Sequence, residues 1–101
     1  MSWKVPEERI KQIEAEAIEK VWSPFPTLTV VSWQLPNGYC ISAQSGCVDP
    51  NDFDMDIGID ICRKHLRDKV WELEGYLQKQ QYYREVTDKD MYNEEDTDAE
   101  N

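Results

Sequence analysis

A small α+β domain is predicted by three features of this chain. Apolar residues recur at helical spacing near the N-terminus, two β-branched runs flank an asparagine-glycine turn, and a long amphipathic segment follows. The expected order is an N-terminal helix, a two-stranded antiparallel β-hairpin and one long C-terminal helix, all within residues 1–84. Residues 85–101 are expected to form a disordered acidic tail.

The first helix is expected over residues 6–21. Pro6 suits its first position, and Glu7 and Glu8 suit the positive end of the helix dipole. Ile10, Ile13, Ala17 and Val21 form an apolar stripe that Ile18 and Trp22 broaden. The prolines of "SPFPT" end it, because each lacks an N–H and restricts the residue before it. "LTVVSWQ" and "YCISAQ" then read as strands joined by the turn "LPNG". Pro36 presets its first dihedral and Gly38 takes a positive φ.

The long helix is expected over residues 53–80. On a wheel of about 100° per residue, Gly58, Ile61, Cys62, His65, Leu66, Val70, Leu73, Tyr76 and Leu77 share one broad arc, taken as the core face. Lys69 falls within that arc, so its stem is expected to snorkel toward an acidic partner. Trp71 projects from the charged side, with Gly75 a turn later on a neighbouring line. A glycine in a helix interior costs about 1 kcal/mol relative to alanine, so Gly75 beside Trp71 reads as a place where another backbone or ring comes close.

Charge and composition narrow the partners. The formal net charge is −10, which disfavours direct contact with nucleic acid or an anionic membrane, since both reward clustered Lys and Arg. Eight acids against one base give residues 85–101 a charge of −7, leaving thirteen acids and ten bases (−3) in residues 1–84. No run approaches the roughly 20 apolar residues of a membrane helix, and the charged N-terminus has no signal-peptide core. Three cysteines at irregular spacing make no disulfide framework, so a reducing cytoplasm is expected. A core this small is marginal alone, which leaves room for a homodimer.

"CVDPNDFDMDIG" followed by "DKVWELEGYL" resembles the gene product forty-nine/gene sixty-six family of small tailed-phage and prophage proteins. The resemblance rests on Asn37, Gly38, Cys47, Pro50, Phe53, Asp54, Ile57, Gly58, Asp68, Lys69, Trp71, Leu73, Glu74, Gly75, Tyr76 and Leu77, and covers residues 28–78. It implies a phage origin and a host-cytoplasm setting, and no activity.

The closely spaced aspartates of "VDPNDFDMDIGID" invite comparison with a calcium loop. Counted from Asp52, the ligand positions fall on Asp52, Asp54 and Asp56, but the glycine position holds Ile57 and the closing glutamate position holds Arg63. Counted from Asp54, Gly58 comes one place early. These residues read instead as a helix start, with Asn51 or Asp52 as cap, Asp54 and Asp56 in the first turn, and Phe53 and Ile57 on the core side. Cys40, Cys47, Cys62 and His65 are zinc-ligand types, yet the gap between Cys40 and Cys47 exceeds the usual roughly two to four residues. They are taken as buried thiols and a partly buried imidazole.

The chain has a single His, no glycine-rich phosphate loop and no nucleophile–base pair, so neither catalytic residues nor a metal or cofactor is expected. The expected role is that of a non-enzymatic protein binding a host protein, with an acidic surface capable of mimicking DNA. Its expected contacts are Trp71, Gly75 and Lys69 on the long helix, and Met91, Tyr92, Glu94, Glu95 and Asp96 in the tail. Alternatively, Lys69, Arg63 and Arg67 would hold a small nucleotide signal.

Overall fold

A computed structural model describes residues 4–94, with side chains described through Thr87. The element order is α1 (Glu7–Glu16), β1 (Ile18–Phe25), β2 (Leu28–Gln34), β3 (Cys40–Gly46), a 3-10 turn (Pro50–Asp52) and α2 (Met55–Glu94). The class is α+β, but the sheet has three antiparallel strands in the order β1-β2-β3, not the two of the expected hairpin.

The additional strand comes from the segment expected to finish the first helix. α1 stops at Glu16, where Ala17 turns extended at φ −71°, ψ 146°. From Ile18 onward side chains alternate between the two faces of the sheet. The prolines that were expected to end a helix shape a hairpin instead. Pro24 lies where the β1–β2 register shifts between Trp22 and Phe25, and Pro26 with Thr27 forms the two-residue connection between Phe25 and Leu28. A bulge on an edge strand tolerates a missing N–H, which a helix interior does not. The Ser23 hydroxyl lies 2.7 Å from the Phe25 carbonyl and 2.6 Å from that of Leu28, and donates to one at a time.

The β2–β3 turn follows the sequence expectation. Gly38 takes φ +92°, its N–H donates to the Leu35 carbonyl at 2.8 Å, and the Asn37 side chain accepts from the Tyr39 N–H at 2.9 Å. Seven uninterrupted pairs then run from Gln34↔Cys40 to Leu28↔Gly46.

Both helices cover one face of the sheet. Thr29, Val31 and Trp33 point inward from β2 and meet Ile10 and Ile13 of α1 and Cys62, Leu66 and Val70 of α2. Each large aliphatic side chain buried there contributes roughly 1.5–3 kcal/mol. The buried positions of α2, namely Gly58, Cys62, Leu66 and Val70, are four residues apart. Each such step rotates about 40° around the helix, as when an i,i+4 ridge packs across a neighbour. A single averaged arc is therefore the wrong description of this face. Ile61, His65, Lys69, Tyr76 and Leu77 were expected on it and are exposed.

α2 continues well past the expected end at residue 80. Ten residues of the stretch expected to be a disordered tail, 85–94, continue this helix. Forty residues at 1.5 Å each make it about 60 Å long, which accounts for the 67 × 29 × 20 Å extents of the molecule.

Candidate interaction surface

The aspartate-rich stretch is a helix start. Asp49 caps the 3-10 turn by accepting from the Asn51 N–H at 2.9 Å. Asp54 caps α2, with Oδ1 at 3.0 Å from the Asp56 N–H and 3.4 Å from that of Ile57. The cap is thus Asp54 and not Asn51 or Asp52, and α2 begins two residues later than expected. Phe53 is half-buried, whereas Ile57 is 59% exposed and not on the core side.

The candidate zinc ligands are held apart. The Cys62 thiol is fully buried under the inner face, 3.7 Å from the Thr29 carbonyl, and burial pushes it up from its ordinary pKa. Cys40 is exposed at the start of β3, on the opposite face of the sheet, and His65 is exposed on α2. Among the described residues no three His, Cys, Asp or Glu side chains are grouped to hold a metal. Cys40 and His65 are therefore not buried groups as the sequence implied.

The seam between α1, β1 and α2 is charged. The Arg9 Nε lies 3.2 Å from Glu74 Oε1. Arg67 grips Glu14 with two bonds of 2.8 Å, and Arg63 grips Glu19 with bonds of 2.9 and 2.6 Å. The hydrogen bonds from Arg67 and Arg63 hold the Glu14 and Glu19 carboxyls below the usual carboxylate range, against the opposing effect of burial. Each guanidinium offers its planar fork to one carboxylate, which occupies it in two places.

The expected contact residues on α2 distribute differently. Trp71 is 38% exposed, one turn beyond Arg67 on α2. Among the described residues outside its own helix backbone, Gly75 has no neighbour within 4 Å of the position a Cβ would take, so the close approach expected there is not made. Lys69 is exposed and its stem is not buried in the core. Met91, Tyr92 and Glu94 fall on the last turns of α2, where side chains are not described, and Glu95 and Asp96 lie outside the described residues.

Two surfaces escape the sequence reading. Past Glu74, α2 presents Tyr76, Leu77, Tyr82, Tyr83 and Val86. Leu77 still borders a groove with Ile13 and Leu35, Tyr82 borders one with Val5, and beyond Tyr82 the helix continues as an arm. The only sequence signal for it was the aromatic content of "YLQKQQYY". The outer face of the sheet carries Ile18 and Trp22, both exposed, and Phe25 near the turn. Apolar residues on both faces of β1 erased the alternation that would have revealed that face.

The sequence profile of the Phage protein (N4 Gp49/phage Sf6 gene 66) family matches residues 5–82. The chain belongs to this phage protein family. No curated protein and no solved structure matches it. The family match takes in α1, the whole sheet and α2 as far as Tyr82, so it extends on both sides of the resemblance seen at residues 28–78. It ends where the arm leaves the body. Among the described residues of this phage family member, no helix is long and apolar enough to cross a membrane.

Proposed function

We propose that this phage family member is a non-enzymatic protein that binds and modulates a host protein in the host cytoplasm, through the acidic arm of α2. The observation that carries this is the continuation of α2 past the body as far as Glu94. Tyr83 and Val86 are exposed on the arm, whose sequence carries Glu85, Asp88, Asp90 and Glu94 against Arg84 and Lys89, and the acids Glu95, Asp96, Asp98 and Glu100 follow in the chain. Aromatic side chains supply most of the energy at protein contacts, while clustered carboxylates steer toward a basic patch. An acidic rod of this kind suits the groove of a host protein that normally holds nucleic acid.

The alternative, a binder of a nucleotide signal, draws less support. Arg63 and Arg67 would have to supply the cationic grip, and both are already occupied by Glu19 and Glu14.

Affinity capture from host lysate tests the proposal with three baits: the full chain, a chain ended after Arg84, and Trp71→Ala. A host protein held by the full chain at moderate salt, lost on truncation and displaced by nucleic acid supports the acidic-arm role. Equal retention by the truncated chain removes the arm from the function. Loss with Trp71→Ala alone moves the contact to the middle of α2.

A further inference from the structure

β1 and β3 are both edge strands, and their edges are built differently. β1 carries Glu19, Lys20, Pro24 and a bulge, the devices that keep an exposed edge from pairing with another chain. β3 carries none of them. Its sequence "CISAQSG" has no charge and no proline, and its seven pairs with β2 contain no register shift. No described strand lies beyond it. Its outer edge therefore offers backbone N–H and C=O groups to a further strand.

The flank of α2 above this edge begins apolar and continues, at the same four-residue spacing, with the exposed His65 and Lys69. Ile57 and Ile61, one turn apart, are 59% and 41% exposed. With Ser45, Gly46, Cys47 and Phe53 they border a groove at the end of β3, whose rim also carries Asp52 and Asp54. The other flank of α2 is occupied by the Arg63 and Arg67 ion pairs.

We propose that β3 pairs antiparallel with β3 of a second copy, about a twofold axis at Ala43, joining two three-stranded sheets into one of six strands. Three features favour a second copy over an unrelated peptide. A strand without charge meets its own copy without repulsion, although the chain as a whole carries −10. With Ala43 opposite itself, Ser42 faces Gln44 and Ile41 faces Ser45, so inner residues stay inner and outer ones outer. A shift of one residue would reverse the faces. The same twofold sets the two α2 helices antiparallel on one side of the sheet, where Ile57 and Ile61 are covered by the partner's helix. A lone extended peptide would leave them bare. The dimer would display its two acidic arms at opposite ends. This inference is independent of the host-protein role.

Sedimentation and light scattering of the full chain over a wide concentration range test it. The expected result is a dimer. Ser42→Lys with Gln44→Lys, both on the exposed outer face, sets like charges opposite one another and weakens it by about tenfold or more. Ser42→Lys with Gln44→Glu sets opposite charges across the same pairs and restores it, which only the Ala43 register explains. Circular dichroism verifies that both variants remain folded. A wild-type chain that stays monomeric throughout overturns the proposal. So does a dimer indifferent to both charge pairs, or one broken instead by Trp22→Asp on the outer face.

Discussion

Arg63 holds Glu19 at two points, Nε to Oε1 at 2.9 Å and Nη2 to Oε2 at 2.6 Å, and the same Oε1 accepts the Trp33 indole N–H at 2.9 Å. One helical turn later Arg67 holds Glu14 in the same two-point manner, without an indole. The two glutamates thus differ in what they leave behind when removed. Both arginine side chains are 43% exposed, so loss of either pair alone costs at most about 1 kcal/mol. Glu19→Ala also strands the N–H of Trp33, a residue only 2% exposed, which adds roughly 1–3 kcal/mol. Urea unfolding should therefore rank Glu19→Ala clearly below Glu14→Ala, with Glu19→Gln between them because its amide oxygen still accepts. Equal losses would mean that the indole bond contributes nothing.

The same pairs set the acid stability of the fold. The Arg67 and Arg63 hydrogen bonds lower the Glu14 and Glu19 carboxyls in the folded state. A group with a depressed folded pKa contributes stability that is fully present above its unfolded value. That stability is lost as pH falls through the folded value. The loss should start below about pH 4.5, near the ordinary glutamate range, and continue as the pH falls further. The variant Glu14→Gln/Glu19→Gln should be less stable at neutral pH and should lose less on acidification. Unfolding midpoints measured from neutral to acid pH check this. Parallel curves for the variant and the parent would refute it.

What the sequence reveals and what it hides follow the range of the forces involved. The turn at Leu35–Tyr39 is legible because Pro36, Asn37 and Gly38 determine it locally, through ring closure, a side-chain acceptor and a positive φ. The start of α2 is legible for the same reason, within a few residues. β1 is hidden because its inward Glu19 is satisfied by Arg63, 44 residues away. A charge on the inner face breaks the alternation that marks a strand. The contact line on α2 is hidden too, because its drift around the helix depends on how the helix crosses the sheet. Gly58 and Gly75 illustrate the point within the candidate surface. The sequence singles out Gly75 as the place of close approach, whereas the close approach occurs at Gly58, against a strand residue 29 positions earlier.

The three thiols should separate by reactivity. Cys40 is exposed and Cys47 half-buried, while Cys62 is fully enclosed and its thiol is pushed up by burial. Thiolate is the reactive form, so both exposure and pKa protect Cys62. A chromogenic disulfide reagent should titrate two thiols readily in the native protein and the third only on unfolding. Three fast thiols would show that the Cys62 site opens in solution.

Replacing glycine by alanine on α2 should give opposite signs at two positions. A Cβ added at Gly58 would lie 2.5 Å from Thr29 Oγ1 and 2.9 Å from Thr29 Cβ, closer than side-chain atoms pack. Thr29 is fully buried and belongs to the central strand, so it cannot move aside freely. Overpacking of this kind costs typically about 1–3 kcal/mol. The gain in helix propensity returns only about 1 kcal/mol, so Gly58→Ala should destabilise. At Gly75 no described residue beyond the adjoining helix backbone lies within 4 Å of the new methyl group. Only the propensity gain remains, and Gly75→Ala should stabilise the chain by roughly 0.5–1 kcal/mol. Thr29→Ser with Gly58→Ala removes the methyl but not the Cβ, and should recover only part of the loss. Thermal or urea unfolding of the three variants tests the pattern. A stabilising Gly58→Ala would mean that α2 rides higher over β2 than the Gly58–Thr29 contact requires.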